Sequence, residues 1–348
     1  MMLAAKGVRR PQRSLRPTVA ASDAGQGIRA ATTGAASVMR PAVMAIVSVF
    51  AVLQPMAAVA SSAGSPASVA HVLVIVEENR SEESVIGASD APYVNALASQ
   101  HGLATESYGV SHPSLPNYLE LISGSTQGVS DDGTGYSFGA PTLAGQLQAA
   151  GIGWRAYMEG MPSPCYGGAG GNGYAKKHDP FMYFTEVTRS AAMCASVVPL
   201  SGLPADLQNG TAPPFLWITP NLCHDGHDCS NATMDSWLAG TLPQVLASAW
   251  FAQDGIVIIT WDEGYTGPGC CNGAHGGHIA TIVVSSRLSH AATQSSPVDH
   301  AGLLRTIELL YGLPFLGDAE CACSGDLMAL VGPAPVPISG WLTAPHLR

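Results

Sequence analysis

The chain has 348 residues, and 11% of them are charged, against about 25% in a typical soluble domain. Its formal net charge of -10 excludes a nucleic-acid-binding protein, because such proteins neutralise phosphates with an excess of Lys and Arg. Hydrophobic residues make up 47% of the chain, which excludes global disorder. The length is sufficient for one large core or for two domains.

The N-terminal region has the pattern of a secretory signal peptide. Seven of the 15 basic residues precede position 41, and only Asp23 opposes them there. An almost wholly apolar run follows at 42–53, and an A-x-A cleavage site lies at 58–60. A membrane anchor needs roughly 20 apolar residues, whereas Gln54 and Pro55 interrupt this run. We therefore predict an exported protein, secreted or in the cell envelope, without a stable membrane anchor.

This pattern also predicts how the chain is divided. Residues 1–60 form an N-terminal extension and signal peptide, and Met39 is the expected start because it directly precedes Arg40 and the apolar run. Residues 61–348 form a single domain, with an elaborated Gly-, Pro- and Ser-rich insertion over the sheet at about 160–212. Seven basic residues and one acidic residue precede position 61, so eight basic and 24 acidic residues give this domain a formal charge of -16.

All eight cysteines lie in the predicted domain. An even number of cysteines in an exported chain predicts disulfides. The adjacent pair at 270–271 and the C-x-C sequence at 321–323 lack the C-x-x-C spacing of zinc ligands, which argues against a zinc site. Cys223 and Cys229 are close enough in sequence to pair with each other, and the remaining connectivity stays open.

Short apolar runs alternate with helical patterns in the rest of the chain. The runs are rich in Val and Ile, which predicts strands buried on both faces, at 71–76, 215–219, 255–261 and 279–284. The helical patterns lie at 93–101, 142–150 and 301–311. This alternation predicts a layered α/β domain.

Polar residues follow three of these runs at the point where each strand ends. Glu78 and Asn79 follow the first strand, the His- and Asp-rich segment 220–229 follows the second, and Asp262 and Glu263 follow the third. Ligands of open α/β sheets bind outside the carboxyl ends of strands, and carboxylates from different strands can converge there on a cation. Any one of these groups is more simply a loop residue or a helix cap, but the three together predict a metal or active site.

A helical pattern beginning at Ser114 offers a nucleophile. Ser114 lies where a helix N-cap would lie, Pro116 is tolerated in the first turn, and Gly124 ends the helix. Ser114 is therefore either a simple cap or a reactive hydroxyl. A hydroxyl at this position faces free backbone N–H groups and the positive end of the helix dipole, where phosphate binds, and a nearby metal would activate it.

An ordered series of motifs extends over about 70–315. It comprises HVLVIVEEN at 71–79, HPSLPNY at 112–118, SGS at 123–125, KHDP at 177–180, PNL at 220–222, HD at 227–228, WDE at 261–263, LRTIE at 304–308 and YGLP at 311–314. The series resembles the bacterial phosphoesterase family of the alkaline phosphatase superfamily, which includes secreted acid phosphatases and phospholipases C. It is most similar to the acid phosphatase and phosphatidylinositol-3-phosphatase branch, because phospholipases C usually carry Thr in place of Ser114.

The resemblance implies an alkaline-phosphatase-like α/β fold, with a central mostly parallel sheet flanked by helices. It implies a metal-dependent phosphomonoesterase of the acid phosphatase type that forms a phosphoserine intermediate, with phosphoinositides as one substrate class and therefore a lipid headgroup as one partner. It assigns Ser114 as the nucleophile. One divalent metal ion would be bound by Glu78, Asn79, Ser114, Asp262 and Glu263.

The remaining implied roles concern the phosphoryl group. His227 would protonate the leaving oxygen or bind the phosphoryl group, and Asp228 would orient His227 or stabilise the site. Lys177 and His178 would contact the substrate phosphate, and Asn117 would contact an equatorial oxygen.

Some residues depart from the family's pattern, and alternatives remain. His224 takes the place of an Asn, and the loop 269–278 carries a double cysteine together with His275 and His278, which we interpret as a disulfide-pinned rim. His300 is interpreted as a packing or capping residue. A phospholipase C-type phosphodiesterase on the same site and a non-catalytic secreted binding module are the alternative functions. Metal identity and number, natural substrate and oligomeric state stay open.

Overall fold

The computed structural model of the protein describes residues 70–265 and 269–334. The predicted extension and signal peptide at 1–60, including Met39, lie outside these residues. Within the described part of the chain, no helix combines the length and the apolar character that crossing a membrane requires.

The strands of the described residues are β1 (His71–Glu77), β2 (Gly102–Tyr108), β3 (Trp154–Met158), β4 (Gly170–Gly171), β5 (Tyr174–Ala175), β6 (Val197–Pro199), β7 (Phe215–Thr219), β8 (Gly255–Trp261), β9 (His278–Ser285), β10 (Ala292–Gln294) and β11 (Val298–Asp299). The α-helices are α1 (Glu82–Val85), α2 (Pro92–Gln100), α3 (Ser114–Ser123), α4 (Leu143–Ala149), α5 (Thr185–Thr188), α6 (Ala191–Cys194), α7 (Leu203–Asn209), α8 (Asn231–Leu246), α9 (Ala249–Ala252), α10 (His300–Tyr311) and α11 (Met328–Val331). Short 3₁₀ turns lie at Lys176–His178, Pro180–Tyr183, Leu200–Gly202, Gly317–Glu320 and Ala322–Ser324.

The main sheet has the strand order β10-β2-β9-β8-β1-β7-β3-β6, and β11 also pairs with β2. Five neighbouring strands, β8, β1, β7, β3 and β6, are parallel. β9 runs antiparallel to both of its neighbours, β8 and β2, and β10 and β11 run parallel to β2. The predicted α/β class with a mostly parallel sheet is therefore confirmed.

The sheet is buried on both faces, as β1 illustrates. Val72, Val74 and Val76 point into the core on one face, together with α3, α4 and α10. Leu73 and Ile75 point into the core on the other face, together with α2, α7 and α8. Because successive side chains of a strand alternate between faces, a strand covered on both sides needs an unbroken apolar run.

The apolar runs predicted the central strands correctly. β1, β7, β8 and β9 coincide with the four predicted strands to within one residue at each end, and α2, α4 and α10 coincide equally well with the predicted helices. The sequence patterns did not indicate β2 or β3, and β2 precedes the segment that carries Ser114.

The predicted insertion contributes to the sheet as well as covering it. β6, which lies within 160–212, pairs in parallel with β3 at the edge of the main sheet. A disulfide joins Cys165 to Cys194 in the same segment. The predicted Cys223–Cys229 disulfide is present, and the remaining bonds are Cys270–Cys271 and Cys321–Cys323.

Candidate active site

The ends of β1 and β8 lie side by side because the two strands are parallel, with Glu77 in register with Trp261. The residues that follow, Glu78 and Asp262, therefore leave the sheet at the same edge. Both side chains are fully buried, and the backbone N–H of Asn79 donates to Asp262 Oδ1 at 2.9 Å. Strand register thus brings these predicted metal ligands together.

Asn79 makes the turn that points these side chains inward. Its φ of 50° lies in the left-handed region, which Asn tolerates better than most residues. Its amide Nδ2 donates to Glu78 Oε2 at 3.1 Å. The amide oxygen is therefore the Asn79 side-chain atom available to a cation.

Gly109, which directly follows β2, allows the segment before Ser114 to approach the end of β8. A Cβ atom at this position would lie 2.8 Å from Asp262 O and 3.2 Å from Glu263 Cα, so only glycine permits the contact. His112 Nδ1, three residues further on, contacts Glu263 Oε2. The close approach therefore places the predicted nucleophile beside the predicted metal ligands.

Ser114 is the first residue of α3, and Pro113 occupies the N-cap position. The expectation that Ser114 would itself lie at the N-cap is therefore wrong by one residue. Pro113 makes no side-chain capping hydrogen bond. Ser114 Oγ donates to Glu78 Oε2 at 3.0 Å and lies 3.5 Å from Glu263 Oε1. The hydroxyl is thus held between carboxylates from two different strands.

The Asn117 side chain is used within the loop before Ser114. Its Oδ1 accepts hydrogen bonds from the backbone N–H groups of Val110 and Ser111, at 2.9 and 3.0 Å. Its Nδ2 donates to the carbonyls of Ser111 and Pro113, at 2.9 and 3.3 Å. The amide is fully buried, and its four hydrogen bonds position the loop before Ser114, while its contact with a substrate oxygen stays a prediction.

The 3₁₀ turn at Lys176–His178 brings two further predicted residues to the site. His178 is buried between two carboxylates, with Nε2 3.0 Å from Glu78 Oε1 and Nδ1 3.3 Å from Asp225 Oδ2. Its ring stacks on Tyr118 of α3, with centroids 5.1 Å apart. Lys177 Nζ lies 3.1 Å from His227 Nε2.

His227 and Asp228 come from the loop after β7 that the Cys223–Cys229 disulfide closes. His227 Nδ1 lies 2.7 Å from Asp228 Oδ1. Asp228 is exposed and His227 half-buried, so the imidazole borders solvent. Its Nε2 faces Lys177, while Nδ1 is held by the carboxylate.

Two aspartates at the site had not been assigned roles from the sequence. Asp225 accepts from the backbone N–H of His227 at 2.7 Å, and its own carbonyl accepts from Glu78 N at 2.8 Å. Asp132 bridges Leu115 N and Lys177 Nζ, at 3.0 and 2.9 Å. Asp225 lies in the His- and Asp-rich segment that the sequence had singled out, whereas Asp132 lies in a loop that carried no comparable signal.

The carboxyl groups at the strand ends hold their protons more tightly than isolated ones. Burial, followed by the charge of Glu263, raises the pKa of Asp262 to about 7. Burial, followed by the charge of Asp132, raises the pKa of Glu263 to about 7. Burial, with the charges of Asp262 and Asp225, also raises the pKa of Glu78 well above its usual range. Such clustering of negative charge favours a cation.

The two basic side chains differ in their charge. Burial alone would lower the pKa of the Lys177 ammonium, but its hydrogen bond to Asp132 and the charge of Glu78 outweigh burial, so that the pKa is raised. Burial, with the charges of Lys177 and His227, holds the pKa of His178 well below its usual range. The protonated form of Lys177 and the neutral form of His178 are therefore favoured.

The site fits a divalent metal ion. Asp262 Oδ2 is a buried oxygen that accepts no hydrogen bond from the described residues, and such an oxygen needs a partner. Carboxylates, an amide and a hydroxyl are the hard oxygen ligands that divalent cations prefer. A second donor set overlaps this one, because ligand atoms of Glu78, His178 and His227 all lie within 4.8 Å of one another.

Comparison with known proteins identifies the family. The sequence model of the family described as "Phosphoesterase family" matches residues 88–314 of this chain. A phosphatidylinositol-3-phosphatase of Mycobacterium tuberculosis is 31% identical over 73% of this chain and 80% of its own length. A phosphate-repressible acid phosphatase of Penicillium chrysogenum and an acid phosphatase of Aspergillus niger are each 28% identical, over 66% and 68% of this chain. The chain spans only 57% and 58% of those two fungal proteins.

Solved structures give weaker likenesses. A protein of the alkaline phosphatase superfamily from Vibrio parahaemolyticus aligns with a TM-score of 0.48 at 12% identity, over 72% of this chain and 70% of its own. A lipoteichoic acid synthase from Listeria monocytogenes aligns with a TM-score of 0.49 at 10% identity, over 76% and 75%. Likenesses of this strength carry no argument about activity.

The family match covers most of the described residues, and the relatives are named phosphatases. The resemblance inferred from the sequence motifs is thus confirmed: the chain belongs to the phosphoesterase family and is a phosphoric ester hydrolase.

Proposed function

We propose that the chain is an exported, metal-dependent phosphomonoesterase of the acid phosphatase type that uses Ser114 as its nucleophile. One observation carries the proposal. The Ser114 hydroxyl lies against Glu78 and Glu263, from two different strand ends, and a cationic Lys177 paired with His227 lies in the same site. This arrangement combines a nucleophile, a cation-binding group and donors for a phosphoryl group.

Glu78, Asn79, Asp262, Glu263 and Ser114 are proposed as the ligands of one divalent metal ion. When bound, the ion would favour deprotonation of the hydroxyl and stabilise negative charge on the phosphoryl oxygens. The protein's own contribution is to fix the hydroxyl at the N-terminus of α3, where backbone N–H groups and the helix dipole also favour the phosphoryl group.

The reaction would then proceed in two displacements. Ser114 Oγ gives its proton to Glu78, the carboxylate to which it donates, and attacks phosphorus. The bond between phosphorus and the ester oxygen breaks, and His227 gives its proton to that oxygen. Asp228 holds His227 in orientation through the 2.7 Å contact. Water then attacks the phosphoserine and gives a proton to His227, the bond between phosphorus and Oγ breaks, and Ser114 regains its proton from Glu78 as phosphate leaves. Lys177 stabilises charge on the phosphoryl oxygens in both steps.

Phosphoinositides are the proposed lipid substrates, because a relative 31% identical over 73% of this chain is named phosphatidylinositol-3-phosphatase. The test compares p-nitrophenyl phosphate, bis(p-nitrophenyl) phosphate, phosphatidylcholine and phosphatidylinositol 3-phosphate as substrates of the chain and of Ser114→Ala. We expect hydrolysis of both monoesters and its loss in the variant. Faster hydrolysis of the diesters would favour a phospholipase C-type enzyme instead, and no turnover of any ester would favour a binding module.

A further inference from the structure

Asp132 reaches the N-terminus of α3 from the loop between α3 and α4. Its Oδ1 accepts a hydrogen bond from Leu115 N at 3.0 Å, and its Oδ2 accepts one from Lys177 Nζ at 2.9 Å. Leu115 directly follows the proposed nucleophile, and its N–H is one of the helix donors that lack an intrahelical partner. A single carboxylate therefore occupies two donors beside Ser114.

These are two of the donors that the proposed function assigns to the substrate. A carboxylate and a phosphoryl group are both anions that accept hydrogen bonds from a helix N-terminus and from Lys. A phosphoryl oxygen cannot take the same Leu115 N–H while Asp132 Oδ1 holds it. The negative charge of Asp132 would also repel a phosphate dianion.

We propose that Asp132 is an internal competitor of phosphate, which occupies the phosphoryl position on Leu115 N and Lys177 in the free enzyme and is displaced when substrate or product binds. The inference rests on the proposed function. Asp132 acts through the donors that it occupies, and it is therefore a positioning residue rather than a catalytic one. Competition by Asp132 weakens the binding of the substrate in its ground state and of the phosphate product.

The loop around Asp132 allows such a displacement. The Asp132 side chain is 30% exposed, so it can turn to solvent without leaving a buried charge. The neighbouring Asp131 holds the turn independently, because its carboxylate accepts from Gly133 N and from Tyr136 OH, each at 2.8 Å. The turn can therefore persist while Asp132 changes partners.

The rival explanation is that Asp132 only orients Lys177 for the substrate. The two explanations predict opposite signs for the same substitution. Loss of a competitor strengthens phosphate binding, whereas loss of an orienting partner weakens it.

The test is calorimetric titration of the chain with inorganic phosphate, for wild type, Asp132→Asn and Asp132→Ala. We expect phosphate to bind about tenfold more tightly to the variants, as for removal of one charge-assisted contact, and KM for p-nitrophenyl phosphate to fall while kcat changes by less. Unchanged or weaker phosphate binding in both folded variants would overturn the inference. Asp131→Asn is the matched control: it removes the same charge from the neighbouring residue and should leave the affinity for phosphate unchanged.

Two further variants separate this inference from the proposed function. Ser114→Ala should lose turnover but still bind phosphate, so retained turnover would reject the proposed nucleophile without affecting the result for Asp132. Lys177→Met should weaken phosphate binding in both the wild-type and Asp132→Ala backgrounds. If neither wild type nor the Asp132 variants bind phosphate, the proposed competition is rejected as well. Thermal unfolding checks that each variant is folded, and the near-isosteric Asp132→Asn is the safer substitution in this respect.

Discussion

Ser114 Oγ donates a 3.0 Å hydrogen bond to Glu78 Oε2, which joins the first residue of α3 to the end of β1 across 36 positions of sequence. The same oxygen lies 3.5 Å from Glu263 Oε1, beyond the end of β8. The hydroxyl is therefore positioned by the sheet as well as by its helix. A serine that only began a helix would have no need of either carboxylate.

Metal binding should stabilise the fold in a pH-dependent way. The folded pKa values of Asp262 and Glu263, about 7, lie above their ordinary values. The metal-free folded state therefore holds extra protons, and the free energy of unfolding that they contribute falls as pH rises towards about 7. A cation that replaces these protons should stabilise the fold more at about pH 7 than at about pH 5. At a hundredfold excess over its Kd, the cation stabilises the fold by about 2.7 kcal/mol in total.

Thermal unfolding with chelator or with added Mg²⁺, Mn²⁺, Ca²⁺ or Zn²⁺ measures this effect. Asp262→Asn is the matched variant, and it should lose most of the gain. An equal gain in Tm at both pH values, or an undiminished gain in the variant, would contradict the proposed ligand set.

His227 should matter most for esters with poor leaving groups. His227→Gln removes the proton donor, and loss of a general acid costs about 10²- to 10⁴-fold in rate. An alkyl phosphate should show this loss, whereas p-nitrophenyl phosphate should lose less because its leaving group departs without a proton. Asp228→Asn should give a smaller loss with the same dependence on the leaving group. An equal decrease for both esters in steady-state kinetics would reject the role.

Asn117 should contribute to stability as well as to rate. Asn117→Ala leaves the partly buried backbone N–H groups of Val110 and Ser111 without these acceptors, at a cost of about 1 kcal/mol for each group. Urea unfolding should therefore show a large loss of stability, accompanied by a fall in kcat. Asn117→Asp keeps the Oδ1 acceptor and should lose less. If the alanine variant kept its stability and showed only a raised KM, the result would contradict the structural role and support a contact between Asn117 and the substrate.

Glu120 of α3 should make the protein less stable as the pH rises from about 5 to about 8. Burial, and then the charges of Asp318 and Asp299, raise its pKa to about 8, and Oε1 accepts no hydrogen bond from the described residues. The unfolded chain loses this proton near its ordinary pKa of 4.5. The free energy of unfolding therefore falls between that pH and about 8, by up to about 5 kcal/mol.

Glu120→Gln keeps the shape of the side chain and removes the titration. Urea unfolding of wild type and variant at about pH 5 and about pH 8 should show their stability difference grow in favour of the variant as pH rises. A difference that stayed the same at both pH values would contradict this assignment.

Strands that are buried on both faces could be predicted from the sequence, because their burial requires apolar residues. β1, β7, β8 and β9 are covered on both faces and are therefore continuously apolar. β2 carries Thr105, Glu106 and Ser107 and lies towards the β10 edge of the sheet. Because its outer neighbours β10 and β11 are short, parts of it remain half-buried and tolerate polar side chains. No apolar run marks it.

The same distinction applies to the site. Glu78, Asn79, Asp262 and Glu263 could be located because they directly follow buried strands, whose ends meet at one edge of a parallel sheet. Asp132 could not, since its place beside Leu115 and Lys177 depends on the path of a loop. That path is set by tertiary contacts, such as those of Asp131 with Gly133 and Tyr136, and has no periodicity in sequence.

The central claim is that Ser114 is the nucleophile, and rapid acid quenching tests it most directly. The metal-loaded chain is mixed with p-nitrophenyl phosphate, quenched during turnover and digested, and the peptide that contains Ser114 is analysed by mass spectrometry. We predict a phosphoryl group on Ser114 in the wild-type chain, and neither this modification nor turnover in Ser114→Ala. Turnover that persists in Ser114→Ala, or a phosphoryl group found on another residue during wild-type turnover, would contradict the account.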